Sequence, residues 1–171
     1  DKFILVCADS TGHGVPGAIV SVVCNNALNR ALREFELRVP GQLLDKTRQL
    51  IIEQFEKSDE EVKDGMDISL CVLNTQTNEL KWAVANNPLW IIRNGELLET
   101  RPDKQPIGRY AEIRAFTPHI SQLMENDCIY IFTDGFADQF GGAKGKKFKA
   151  SAMKELLLNI QHKTMNEQRE I

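Results

Sequence analysis

Residues 5–23 read LVCADSTGHGVPGAIVSVV: an apolar strand, an acid at Asp9, a cluster of glycines and then an apolar helix. The element after that helix decides the fold. Gly12, Gly14 and Gly17 spell G-x-G-x-x-G, the turn that cradles a dinucleotide's pyrophosphate when it joins strand to helix inside a βαβ unit. Such a unit needs a second parallel strand next, with an acid about 20 residues on to bind the ribose. Here that spacing falls on Glu34 and Glu36, still within the first helix, and Pro40-Gly41 then leads into a second helix. The βαβ unit is missing, as is the G-K-[ST] of a phosphate-binding loop. The glycine spacing is therefore read as accidental, and nucleotide binding is kept only as a reading that a parallel sheet would support.

The rest of the chain divides into helices first and strands after. A strand at 3–8 opens it. Pro16 suits a first helical turn, and Ile19, Val20, Val23, Ala27, Leu28, Ala31, Leu32 and Phe35 recur at helical spacing. Leu43, Leu44, Leu50, Ile51 and Phe55 continue as a second, amphipathic helix. The acidic stretch 58–64 reads as a solvated loop. Strands are then predicted at 66–73, 80–84, 89–93 and 96–100. Asn94-Gly95 marks a hairpin, because both central residues of a type I′ turn take positive φ. Residues 101–110, with Pro102, Pro106 and Gly108, read as a loop. Strands at 112–116 and 128–132 and a helix from about 150 to 161 complete the pattern, which contains no repeat.

Composition excludes some classes of partner. With 171 residues and a formal net charge of −3, the chain has no global basic field, which argues against nucleic acid. No run is long and apolar enough to span a bilayer, and the start is not a signal peptide, so the expectation is a cytoplasmic domain without direct membrane contact. Cys7, Cys24, Cys71 and Cys128 lie in apolar stretches without a C-x-x-C pair, and read as small buried hydrophobes in a reducing compartment. Trp82 and Trp90 read as core or sheet surface.

Asp9 stands where an apolar strand meets a glycine turn, and CIYIFTDGFAD repeats the device at Asp134-Gly135. Carboxylates held at strand ends and facing a glycine-lined space suit oxygen-preferring Mg²⁺ or Mn²⁺; each also suits a plain turn cap.

Five stretches in order, ADSTGHGVPGA, DGMDISLCVLN, ANNPLWIIRNGEL, PDKQPIG and IFTDGFADQFGG, together resemble the SpoIIE-like branch of the PPM, or PP2C-type, metal-dependent protein serine/threonine phosphatases. The resemblance covers nearly the whole chain. It implies an α+β fold, an α-β-β-α sandwich of two mainly antiparallel sheets flanked by helices. It also implies two Mn²⁺ or Mg²⁺ ions, with Asp9 bridging them, the Ser10 carbonyl on one and Asp134 on the other. Gly12, Gly14 and Gly135 would then let backbone approach the phosphate, with Asn86 and Asp67 nearby. His13 is either an acid for the leaving oxygen or a turn histidine making a structural hydrogen bond. Asp64 and Asp67 either orient waters or a further ion, or cap loop and strand. Asn86-Asn87-Pro88 reads chiefly as a turn. Lys144, Lys146, Lys147 and Lys149 read as a solvated loop, or as a lure for an acidic phosphoprotein.

Two features of that family fall outside the sequence, an acidic strand motif before Asp1 and a final Asp-bearing strand after a last helix. The expectation is one domain over 1–171, truncated at both ends, with exposed sheet edges that favour self-association. Neither Asp127 nor Asp138 is placed to replace the final ligand. The resemblance implies hydrolysis of phosphoserine or phosphothreonine on a signalling protein such as an anti-sigma-factor antagonist, with sensor or signalling modules elsewhere in a longer chain. The rival is a non-catalytic binding module on the same fold.

Overall fold

The computed structural model describes residues 1–56, 64–142 and 145–171. In chain order the elements are β1 (Lys2–Ser10), α1 (Gly14–Arg33), α2 (Pro40–Phe55), β2 (Gly65–Asn74), β3 (Glu79–Ala85), β4 (Leu89–Arg93), β5 (Glu96–Thr100), β6 (Ile107–Gly108), β7 (His119–Gln122), β8 (Cys128–Ile131), β9 (Phe140–Gly141), β10 (Lys146–Lys147), α3 (Lys149–Ile160) and α4 (Met165–Arg169). One sheet runs β1-β2-β3-β7 with β6 added to β2; a second runs β5-β4-β8; β9 and β10 form a small hairpin. Every strand pair is antiparallel. The parallel pairing that dinucleotide binding needs is absent among the described strands.

The two-residue period of a strand sorts the core into layers. On β2, Ile68, Leu70 and Val72 face the helices, packing with Val20, Cys24, Leu43, Leu44 and Ile51. Cys71 and Leu73 face the other way and meet Leu89 and Ile91 of β4 and Ile129 and Ile131 of β8. Trp90 and Tyr130 point out of the second sheet and pack with Met153 and Leu157 of α3. The order is thus helix pair, sheet, sheet, helix. Trp82 and Trp90 are both core, and burying a side chain of that size contributes about 3 kcal/mol. Their indole N–H groups stay satisfied, donating to Thr100 Oγ1 at 3.2 Å and Glu99 Oε1 at 3.0 Å.

Four expectations need correction. Residues 112–116 are not a strand; the strand lies further on, as β7. The backbone of Arg114 finds side-chain partners instead: its N–H donates to Gln105 Oε1 at 3.1 Å, and its carbonyl accepts from Gln105 Nε2 at 2.9 Å and from Arg48 at 2.8 Å. Gln105 serves Arg114 as a strand neighbour would. Second, the 101–110 loop contains β6, which pairs with Gly65 and Met66. Third, Lys146 and Lys147 belong to a hairpin strand rather than a solvated loop, and Lys149 opens α3. Fourth, Cys24 and Cys71 are buried, whereas Cys7 and Cys128 are only half-buried; all four are free thiols. Of the acidic stretch, 58–63 lie outside the described residues, as does Lys144. Asn94 and Gly95 take positive φ, as the hairpin requires. No helix among the described residues is long and apolar enough to cross a membrane.

Candidate active site

Strand direction decides which residues meet. β1 runs toward Asp9, β2 starts beside it, β3 ends at Ala85, and β8 finishes opposite Leu89, the first residue of β4. All four ends lie at one edge of the sandwich. Asp9 and Asp67 are direct cross-strand partners, so both project from the face of the first sheet that looks toward the second. Asp134 follows β8 by three residues. The Cys7 thiol, two residues before Asp9 on the same face, lies near the Thr133 backbone, beside the turn that carries Asp134.

Asp67 is half-buried, and Asp9 and Asp134 are exposed. Burial pushes the Asp67 carboxyl above the usual carboxylate range; the Asn86 hydrogen bond pulls it back, the charges of Asp134 and Asp9 push it up again, and Lys104 lowers it. Asn86 Nδ2 donates to Asp67 Oδ1 at 2.8 Å from a residue with φ of 58°, a left-handed conformation that asparagine tolerates. Asn86-Asn87-Pro88 is therefore both a turn and a neighbour of the acids. Its carbonyls at Asn87 and Pro88 accept the buried Ser69 hydroxyl at 2.9 and 3.1 Å.

The glycine turn packs closely against the start of α1. Gly12 has φ of 87°, and a Cβ on Gly17 would stand 2.7 Å from the Gly12 carbonyl carbon, so the turn and the first turn of α1 touch backbone to backbone. His13 is the N-cap residue of α1, exposed and without a side-chain cap bond. With Asp9, Ser10, Gly12 and Gly14 it lines a cavity of about 720 Å³ between β1 and α1. The Ser10 hydroxyl reaches the Cys24 thiol, which burial pushes up to about 11. Asp64 bonds the Thr11 hydroxyl at 2.9 Å and so serves the loop. Asp127 sits at the opposite end of β8 from Asp134, paired with Arg93, and Asp138 is ion-paired to Lys147. Gly135 donates weakly to Thr133 Oγ1 at 3.4 Å. Lys104, to which no sequence signal gave a role, emerges as the cation acting on Asp67.

Asp9, Asp67 and Asp134 suit a hard divalent cation in donor type and in charge, since an ion would relieve their mutual repulsion. Among the described residues, no group of three or more His, Cys, Asp or Glu is gathered closely enough to enclose one ion.

Sandwich and helix pair define a PP2C-type fold. The SiaA-PP2C domain of Pseudomonas aeruginosa has the same fold, with a TM-score of 0.82 and 24% identity over 99% of this chain and 70% of that one. The structure of the SpoIIE phosphatase domain with a fragment of its regulatory domain from Bacillus subtilis is also similar, with a TM-score of 0.71 and 17% identity over 97% of this chain and 45% of that one. The RsbU and RsbW domains of Rv1364c from Mycobacterium tuberculosis match as well, with a TM-score of 0.71 and 19% identity over 94% of this chain and 43% of theirs. Residues 1–170 match the family described as Stage II sporulation protein E (SpoIIE), and the chain belongs to that family. No curated protein sequence matches it significantly.

Proposed function

We propose that this domain hydrolyses phosphoserine or phosphothreonine esters on a signalling protein, with Mn²⁺ or Mg²⁺ at the carboxylate end of the sandwich. The observation that carries the reading is the convergence of Asp9, Asp67 and Asp134, from three distant segments, at one edge of a SpoIIE-family fold. Asp9 and Asp134, with the Ser10 carbonyl, would hold the ions. Divalent ions there supply a water activated for attack on phosphorus and neutralise the phosphoryl oxygens.

The chain's own groups do the rest. Asn86 orients Asp67 through its side-chain amide. Gly12, Gly14 and Gly135 leave room for backbone to approach a phosphate. His13 follows Asp9 by four residues, at the start of α1, and would protonate the departing serine or threonine oxygen; as an alternative it serves only the turn. The domain is read as one unit, 1–171, of a longer cytoplasmic chain with sensor or signalling modules, and its substrate as an anti-sigma-factor antagonist.

The second reading is a phosphatase fold that binds a phosphoprotein without turning it over. Phosphate release from a phosphoserine peptide separates the two, measured with Mn²⁺, with chelator and with Asp9→Asn, on this chain and on a C-terminally extended one. Metal-dependent release abolished by Asp9→Asn supports the enzyme. A folded, inert extended protein supports the binding module.

A further inference from the structure

We propose that the β9–β10 hairpin and the flank of α3 form a docking groove for the phosphoprotein substrate, which takes an apolar side chain with acidic neighbours from the stretch beside the phosphorylated residue. This rests on the phosphatase reading above. A phosphoserine brings its flanking peptide to whatever surface adjoins the site, and the residues after Asp134 build such a surface.

The hairpin is tied to the turn that carries Asp134. Asp138 N–H donates to the Asp134 carbonyl at 2.9 Å, and Gln139 Nε2 donates to the Gly135 carbonyl at 2.8 Å. Phe148 N–H donates to the Gln139 carbonyl at 2.8 Å, and Lys149 N–H to the Ala137 carbonyl at 2.7 Å. Ala137 is itself buried with Trp90 and Met153, which anchors the segment on the second sheet and α3. Phe136 follows Asp134 by two residues, so their Cα atoms lie within about 7 Å of each other, a span that a few residues of extended peptide cover.

The groove is apolar with basic residues in its wall. It encloses about 520 Å³, lined by Phe136, Phe140, Phe148 and Leu156 together with Lys146 and Lys147, and no acid lines it among the described residues. Phe136 packs edge-on against Phe148, with ring centroids 5.5 Å apart, yet is 55% exposed, and Phe140 is 75% exposed. Two large rings left in water on a well-anchored hairpin form an apolar patch that the fold does not use, and aromatic rings in such patches anchor partners. Lys147 pairs with Asp138 at 2.7 Å, whereas the exposed Lys146 makes no ion pair or side-chain hydrogen bond with the described residues. The chain as a whole carries a formal net charge of −3, so the positive lining is local, and it complements acids placed beside the apolar side chain.

The test measures binding of fluorescent phosphoserine peptides by anisotropy, on this chain and on a C-terminally extended one, because Ile171 also lines the groove. One set of peptides carries a leucine between two glutamates a few residues from the phosphoserine, on either side; the control set carries alanine and glutamines there. The best leucine-glutamate peptide should bind about tenfold more tightly than its control. Phe140→Ala and Lys146→Glu should each remove most of that difference, and Lys146→Glu should prefer a peptide with lysines in place of the glutamates. Turnover of p-nitrophenyl phosphate, which has no flanking peptide, should stay at the wild-type rate in both variants. Equal binding of the two sets by wild type overturns the proposal, as does a preference that survives both variants, or one lost in the extended chain because its own continuation fills the groove. If Mn²⁺-dependent turnover is absent while the preference and its charge reversal hold, the phosphatase reading fails and the docking groove stands.

Discussion

Asp9 and Asp67 stand directly opposite each other across β1 and β2, at the end of the sandwich where Asp134 also lies. Like charges in that position destabilise a sheet, by up to about 1 kcal/mol per pair. Asp9→Asn should therefore raise the metal-free melting temperature, by about 2 °C for a domain of this size. It should also remove the stabilisation that Mn²⁺ gives the wild type, and cut phosphate release by more than about a hundredfold. Melting curves with and without Mn²⁺ check the first two effects. A variant that is still stabilised by Mn²⁺ as strongly as wild type would remove Asp9 from the ion site.

Asn86 combines two roles that substitution can separate. Its backbone is left-handed, and its amide holds Asp67. Asn86→Gly keeps the backbone and loses the amide; Asn86→Ala loses both, and should be less stable than the glycine variant by about 1 kcal/mol in urea unfolding. Both should bind Mn²⁺ roughly tenfold more weakly by calorimetry. Wild-type affinity in Asn86→Gly would show that Asp67 needs no such orientation.

The elements legible in the sequence are those whose own side chains declare them. β2 to β5 alternate or run apolar because they are buried on one face or both, and α1 and α2 carry a helical stripe. β6, β9 and β10 have only two residues each, and β6 exists only because Gly65 and Met66 pair with it. The expected strand at 112–116 failed because side chains, Gln105 nine residues back and Arg48 far off in sequence, satisfy the Arg114 backbone. The site divides in the same way. Asp9 and Asp134 are visible as acids that end apolar strands before glycine turns. The pairing of Asp9 with Asp67 depends on register, and the place of Lys104 depends on the bond from Asn86 to Asp103, neither of which has a local signal.

Gly17 is a sharper test of the glycine turn than Gly14. An added Cβ at Gly17 would stand 2.7 and 2.8 Å from backbone atoms of Gly12, which cannot swing aside as a side chain can. At Gly14 the same atom meets nothing within 4 Å, and the cost is that of its φ of 63° alone. Gly17→Ala should lose about 2–3 kcal/mol, and Gly14→Ala about 1 kcal/mol. Urea unfolding of the pair settles the order, and equal losses would mean that the turn and α1 do not pack as closely as the structure has them.

The far end of β8 offers a pH test independent of the site. Arg93 grips Asp127 through Nε at 2.9 Å and through a second nitrogen at 2.6 Å, and the Met124 N–H adds a bond at 2.8 Å. The Asp127 side chain is only 2% exposed. These bonds, Arg93 first, hold its carboxyl below the usual carboxylate range despite burial. A carboxyl with a depressed folded-state pKa stabilises the fold above its unfolded value, near 3.9, and loses that contribution as pH falls through the folded value. Asp127→Asn should lower the melting temperature at pH 7 by roughly 4–8 °C. The gap should narrow steadily below about pH 4. Because Asp127 lies away from Asp9, Asp67 and Asp134, the metal response of this variant should match wild type at temperatures where both are folded. A gap that stays constant from pH 7 to pH 3 would mean that the pair contributes packing and hydrogen bonds alone, with no electrostatic stabilisation from the ionised carboxylate.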